Sequence, residues 1–480
     1  MEEYRRIADL IARRIADGRL RPGDRLPPQR VLARRHRIAD STAIRVYGEL
    51  ARRGLVVGEV GRGTFVRAAP PPPGAALALA EATGQAPVDL QLNYPVSRGQ
   101  SELMGRALAA LARADVLGAE TSRPAAATGT PQARAAAAKV LARPGWEPDE
   151  DLVLFAGNAR QAIAAALSAL VPPGGAMGVE ALTYPLVKTV AERLGVRLVP
   201  IGLDGEGMRP DALAAARRTS PLAAVYVQPT LHNPLSLTAS PGRRAELAGV
   251  LRESGLTAIE DTTWAFLVPD APAPLAAHAP ERVVLVDSLS KRLAPGLTVG
   301  HLVAPDARLA DDLARALRSG AWTAGGLALA AATRWAADGT VDALVTAKRA
   351  DAAARQALVL RHLGAYRIRT APHAYSCWWE LPAPWRAETF VAAAAERGIA
   401  LTPGPAFAVD GRGAGAGAGR GAGRGAAAGA GRGAGRGLAR GAADAVRVGL
   451  ASPPLPVLAG ALARLAELAE QGPDGGGLPR

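Results

Sequence analysis

The sequence predicts an α/β protein with a small helical module at its front, and three observations predict it. Apolar, β-branched runs at Val225–Val227, Leu256–Ile259 and Val283–Val286 each end in a polar loop. They follow one another at roughly thirty residues, the length of one βα unit, so they read as strands of one parallel sheet. Residues 4–66 carry short helical patterns followed by two apolar stretches around glycines. The formal net charge of +14 is concentrated in two places. Residues 1–67 hold 16 arginines against 8 acids, and residues 411–443 hold six arginines and no acid, so the rest is neutral on balance. A basic end on a neutral body suggests a nucleic-acid module attached to something else.

The length, 480 residues, allows two or three domains with a sizeable core. No apolar run reaches the roughly eighteen residues of a membrane span, and Met1-Glu2-Glu3-Tyr4-Arg5 lacks the basic-then-apolar pattern of a signal peptide. Cys377 is the single cysteine, which excludes an intrachain disulfide and fits a reducing cytoplasm. The expected location is therefore cytoplasmic, without a membrane partner.

At the front, Tyr4, Ile7, Ala8, Ile11, Ala12 and Ile15 share one helical face, and Gly18 follows as a stop. Pro27-Pro28 suits the first turn of a second helix running through Arg34. Asp40 or Ser41 can cap a third helix that carries Ile44, Tyr47 and Leu50 inward until Gly54. Leu55-Val56-Val57 and Thr64-Phe65-Val66 then form a hairpin around a basic, glycine-flanked tip. Three short helices and a hairpin describe a winged helix-turn-helix. The stretches "GRLRPGDRLPPQRVLA", "STAIRVYGELARRGLV" and "GRGTFV" closely resemble the GntR-type DNA-binding domain. The resemblance implies a third helix in the major groove and a wing at the minor groove or backbone. Arg30, Ser41, Thr42 and Arg45 would face double-stranded operator DNA, with Arg62 and Gly63 at the wing tip. Asp40 stands where that family commonly has an arginine, and reads either as a cap or as an acceptor for a cytosine amino group.

Residues 68–87 include Pro70-Pro71-Pro72-Pro73-Gly74, a semi-rigid linker, and residues 88–480 form the body. Leu152–Phe155 reads as a strand leading to Gly157-Asn158-Ala159, a helix N-terminus whose free amides suit a phosphate. Tyr184-Pro185 precedes an amphipathic helix. Asn233, Asp261 and Lys291 stand at three successive strand ends and could converge on one ligand. A lysine at the rim of a core has its amine pKa lowered by burial, which makes it a Schiff-base nucleophile.

The words "QPTLHNP", "IEDTTW" and "SLSKRLAPGL" resemble the large domain of fold-type I pyridoxal-phosphate enzymes, the aspartate aminotransferase class. That resemblance implies pyridoxal 5'-phosphate held as a Schiff base by Lys291, with Asp261 on the pyridinium nitrogen and Asn233 on the phenolic oxygen. It also implies Ser288, Ser290, Asn158 and Ala159 near the phosphate, and Tyr184 stacked on the ring. Residues 365–409 and the strand Asp444–Leu450 would form a small C-terminal domain, where Arg447 matches the arginine that grips a substrate carboxylate. Residues 411–442, almost wholly Gly, Ala and Arg, read as a disordered insertion.

Three positions depart from the enzyme pattern. Trp264 stands for a tyrosine, Thr298 for the phosphate-clamping arginine, and Pro124 where the neighbouring subunit normally lends a tyrosine. Arg292 is a candidate replacement for the missing arginine. These losses imply weaker cofactor binding and poor transaminase chemistry. Head, linker and body together resemble the MocR group of bacterial regulators. The expectation is a dimeric transcriptional regulator sensing pyridoxal phosphate or an amino-compound effector; the alternative is an active aminotransferase with an attached DNA-binding head.

Overall fold

The computed structural model describes residues 3–17, 19–20, 24–53, 55–59, 63–66, 87–97, 99–113, 118, 122, 124–296, 298–409 and 441–472. Linker residues 68–86, Arg62 and nearly all of the 411–442 insertion lie outside the described residues. At the insertion's end, Ala442 is buried and opens a short 3-10 turn, Ala442–Asp444.

The head consists of α1 (Glu3–Ala16), β1 (Arg25–Leu26), α2 (Gln29–His36), α3 (Asp40–Arg52), β2 (Val56–Glu59) and β3 (Gly63–Val66). Its core gathers Ile7, Ala8 and Ile11 of α1, Leu32 of α2, and Ala43, Val46, Tyr47 and Leu50 of α3. The Tyr47 hydroxyl donates to the Pro27 carbonyl, and Arg53 joins Asp9 of α1 at 2.5 Å and Glu49 at 2.8 Å. The wing is a three-stranded sheet in the order β1-β3-β2, in which β1 joins the hairpin β2–β3.

Two expectations in α3 fail. Ile44 does not point inward: it is 54% exposed, while Ala43 takes its place in the core. Positions 43, 46, 47 and 50 follow the helical repeat, and the small Ala43 side chain lets α3 approach its neighbours closely. Asp40 is not the cap either. Ala39 is, without a side-chain cap bond, and Asp40 is the first helical residue.

In the body, β5 (Val153–Ala156), β6 (Ala176–Glu180), β7 (Arg197–Ile201), β10 (Leu222–Val227), β11 (Thr257–Asp261), β12 (Val283–Ser288) and β13 (Gly300–Val303) form a seven-stranded sheet. A small hairpin, β8 (Leu203–Asp204) and β9 (Gly207–Met208), lies apart from it. The sheet order is β5-β13-β12-β11-β10-β6-β7, with apolar clusters on both faces. The sheet is not wholly parallel, since β13 runs antiparallel to both neighbours. A parallel return needs a crossover of a dozen or more residues, usually through a long helix, whereas β12 and β13 are joined by the short Lys291 loop.

The small domain holds β14 (Arg367–Arg369), β15 (Ser376–Glu380), β17 (Thr402–Pro403) and β18 (Ala445–Gly449) in the order β14-β15-β18-β17. At its edge β16 (Ile399–Ala400) pairs with β4 (Val88–Asp89), so the body's first strand is anchored in the small domain. The helix Thr340–Leu363 spans from the large-domain core to the helix Leu455–Gln471 of the small domain. Among the described residues no helix is long and apolar enough to cross a membrane.

Candidate functional site

The C-terminal ends of β10, β11 and β12 deliver the body's candidate residues to one place. Asp261 ends β11 and is 8% exposed. The Tyr226 hydroxyl donates to its Oδ2 at 2.6 Å, and the Thr263 amide donates to its Oδ1 at 2.9 Å. Burial raises the Asp261 carboxyl above its ordinary range, and these hydrogen bonds oppose that rise. Lys291 sits in the single helical turn Leu289–Arg292 after β12. Its Nζ donates to the Asn93 carbonyl at 2.6 Å and lies over the Tyr94 ring at 4.1 Å and the Trp264 ring at 5.1 Å. Burial pushes the Lys291 ammonium down to about 7, helped by the positive charges of Arg447, Arg160 and Lys348.

Asn233 follows β10 and lines a narrow cleft with Asn93, Leu231, Ser236, Trp264 and Tyr375. Its Oδ1 is buried and accepts no hydrogen bond among the described residues. Leu231 and Ser236, on either side of it, hold positive φ values of 49° and 55°, a conformation that costs a side-chain-bearing residue energy and often marks a functional loop. Tyr184 precedes the helix Pro185–Arg193, and burial drives its phenol pKa well above the ordinary value. Charges on Arg160, Asp261 and Arg447 also act on it.

A second group lies one strand away. Asn158 caps the helix Ala159–Leu170 by accepting from the Gln161 amide at 3.0 Å. It does so in an extended conformation, φ −167°. Ser288, Ser290 and Thr298 form a hydroxyl triangle, with Oγ–Oγ distances of 2.7 Å for Ser288–Ser290, 2.7 Å for Ser290–Thr298 and 3.2 Å for Ser288–Thr298. Gly300 brings the two together. It pairs with Ser288 and with Ala156, and a Cβ on it would come within 2.5 Å of the Asn158 backbone. Three hydroxyls beside a helix N-terminus, with Ala159 and Arg160 in its first turn, make a cradle suited to an anion.

Arg447, in β18, donates to the Gln91 carbonyl and to Thr402 Oγ1 at 3.2 Å, while its Nε is buried without a partner among the described residues. Burial lowers its guanidinium to about 10. Arg292 does not reach the cradle. It turns into the core and pairs with Asp287 at 2.8 Å, because that carboxylate, fully buried, needs a counter-charge. Arg143 lies 3.7 Å from the same carboxylate. Thr298 joins the hydroxyl triangle, and Pro124 is exposed.

Sequence reasoning missed four contributors. Asn93 and Tyr94 come from the segment that follows β4, about two hundred residues upstream of Lys291. Tyr226 sits within an apolar strand and looked like core. Lys348, fully buried, donates to the carbonyls of Lys291 at 2.9 Å and Leu293 at 2.6 Å, pinning the Lys291 turn to the long connecting helix. Only the Tyr94-Pro95 pair, which matches Tyr184-Pro185, offered a signal. A wider concavity of about 570 Å³ between the hairpin β8–β9 and two surface helices is lined by Asp204, Arg209, Asp211 and Arg243, whose charges already pair with one another.

In the head, Arg30 is exposed on α2, and Ser41 and Arg45 are exposed on α3, with Thr42 half-buried beside them. The Arg45 guanidinium lies 4.3 Å over the Tyr4 ring. Gly63 opens β3 with φ +125°, and a Cβ there would meet Arg25 Nε at 2.7 Å.

Residues 3–66 match the family of bacterial regulatory proteins of the gntR type. Over 422 residues the chain is 29% identical to the HTH-type transcriptional regulator YdeF of Bacillus subtilis, covering 85% of this chain and 87% of that protein. It is 28% identical over 406 residues to the vitamin B6 salvage pathway transcriptional repressor PtsJ of Salmonella typhimurium, with 84% and 90% covered. An archaeal alanine:glyoxylate aminotransferase superposes with a TM-score of 0.68 at 19% identity, over 80% of this chain and 91% of that one. LysN, an α-aminoadipate aminotransferase from Thermus thermophilus, gives 0.66 at 20%, over 80% and 92%. The chain has the MocR-type architecture. A GntR winged helix-turn-helix is fused to a body with the aminotransferase fold. At these identities the solved structures speak for the fold alone.

Proposed function

We propose that this chain is a pyridoxal-phosphate-dependent, DNA-binding transcriptional regulator, in which the body senses the cofactor or an amino compound and the head binds an operator. The observation that carries the reading is Lys291, an amine held near neutrality by burial over the Tyr94 and Trp264 rings, just past the end of β12 and beside β11, which ends in Asp261. The residues present fit the cofactor. The orphaned Asn233 Oδ1 leaves a buried polar atom awaiting a partner, and the hydroxyl triangle beside the helix Ala159–Leu170 suits a phosphate. Relatives support the same reading: LysN was solved with N-(5'-phosphopyridoxyl)-L-leucine, and PtsJ is named for vitamin B6 salvage.

Lys291 would hold the cofactor through Nζ, and Tyr184 would lie against the ring. Asp261, kept in place by Tyr226 and Thr263, would face the ring nitrogen, and Asn233 would face the phenolic oxygen. Ser288, Ser290 and Thr298, with the amides of Ala159 and Arg160, would take the phosphate. The Arg160 side chain, in the first turn of that helix, would supply the charge that Thr298 lacks. Arg447 would meet the carboxylate of an amino-compound effector. Bound pyridoxal phosphate supplies an aldehyde carbon open to primary amines and a ring that withdraws electrons.

An effector changes DNA affinity only through differential binding to two arrangements of the molecule. The helix Thr340–Leu363 is a route for that coupling, since Lys348 holds the Lys291 turn and Arg355 holds the carbonyls of Leu450 and Pro453. The reading is tested by adding pyridoxal phosphate to the purified chain and to Lys291→Ala. A visible absorbance band in the wild type and none in the variant is expected; no band in either would sink the cofactor reading. Amino acids that bleach the band with turnover would favour a working aminotransferase instead.

A further inference from the structure

The exposed stripe of α3 does not match an all-basic DNA-reading helix. Asp40, Ser41, Ile44, Arg45 and Gly48 all face solvent at helical spacing. Ile44 is 54% exposed, although Val46 and Leu50 of the same helix are completely buried. Asp40 is the first helical residue, not the cap, and no hydrogen bond or ion pair engages it among the described residues. Its carboxylate gains from the helix dipole, which explains its tolerance but not its place on the stripe. Exposed arginines on both sides, Arg30 and Arg34 on α2 and Arg45 on α3, would draw a phosphate backbone to this face in spite of the negative charge.

The second helix of a helix-turn-helix offers its exposed face to the major groove. There the one apolar group on a base edge is the thymine methyl, and an acceptor-only carboxylate suits the cytosine amino group. Residues 40 and 44 are one turn apart, about 6 Å along the axis, which spans about two base pairs at 3.4 Å each. We propose that Asp40 and Ile44 form a pyrimidine-reading pair, with Asp40 accepting from a cytosine amino group and Ile44 packing on a thymine methyl within about two base pairs of it. The proposal rests on the DNA-binding reading of the head.

The test begins by enriching duplexes from a random library with the full-length chain, and with Asp40→Ala and Ile44→Ala. Each thymine of the best wild-type duplex is then replaced in turn by deoxyuridine, which removes only the methyl group. One replacement should weaken wild-type binding about fourfold, the worth of one buried methyl-sized group. Ile44→Ala should be insensitive to that same replacement, while Ile44→Val should retain the sensitivity. Asp40→Ala should lose a cytosine preference within two base pairs of that thymine. Wild-type indifference to every replacement, an unchanged response in Ile44→Ala, or an unaltered cytosine preference in Asp40→Ala would overturn the pair. Failure of the wild type to enrich any duplex would instead remove the DNA-binding reading, and the proposal with it.

Discussion

Head and body organise their candidate residues in opposite ways. In the head, the candidates Arg30, Ser41 and Arg45 lie exposed around a small core, all within about sixty residues. In the body they are buried at strand ends and come from Asn93 to Arg447, with their chemistry changed by what surrounds them. Recognition of a large charged polymer needs an open face. Activation of an amine needs a low-dielectric cavity that strips water from the charged form.

The largest expected effect separates the two units. Leu50 is fully buried in the head's own core, so Leu50→Ala should cost about 2–5 kcal/mol, most of what a domain of this size possesses. Duplex binding should vanish while the pyridoxal phosphate band survives; loss of both would mean that the two units fold as one.

Next comes Asp261→Asn, which removes the charge opposite the ring nitrogen. A charged hydrogen bond of this kind is worth about 1.5–3 kcal/mol, so cofactor affinity should fall roughly 10- to 100-fold by spectral titration. An unchanged affinity would mean that Asp261 serves only to satisfy Tyr226.

The pH dependence sharpens the contrast further. Lys291 titrates at about 7 in the folded chain instead of 10.5, so its neutral, reactive form is abundant just above neutrality. Cofactor uptake should rise about tenfold per pH unit below 7 and level off above it. A rise continuing towards pH 10 would mean that the amine is not desolvated. The linkage has a matching sign. A lowered amine pKa disfavours the folded state below about pH 7 and the penalty fades as pH approaches 10.5. Lys291→Met should therefore stabilise the cofactor-free chain more at pH 6 than at pH 10, as read by thermal unfolding.

The smallest effect belongs to the head. Arg30→Ala should weaken all duplexes alike and reduce the salt slope of binding by about one. A change confined to one base position would make Arg30 a base reader.

The sequence by itself determined the head almost completely, because its helices and hairpin are local and their patterns need no distant partner. It also determined which strand ends carry Asn233, Asp261 and Lys291, since polar residues closing apolar β-branched runs are visible in one dimension. Tertiary structure alone decided that Ile44 faces outward, that Arg292 pairs with Asp287, that β13 runs antiparallel, that Tyr226 holds Asp261, and that Tyr94, Asn93 and Lys348 surround the Lys291 turn. Each of these depends on which surfaces meet in the folded chain, whether the partners are close in sequence, as Arg292 and Asp287 are, or far apart, as Lys291 and Asn93 are. A buried charge or an orphaned oxygen takes its partner from whatever packs against it, and that choice is made by the fold as a whole.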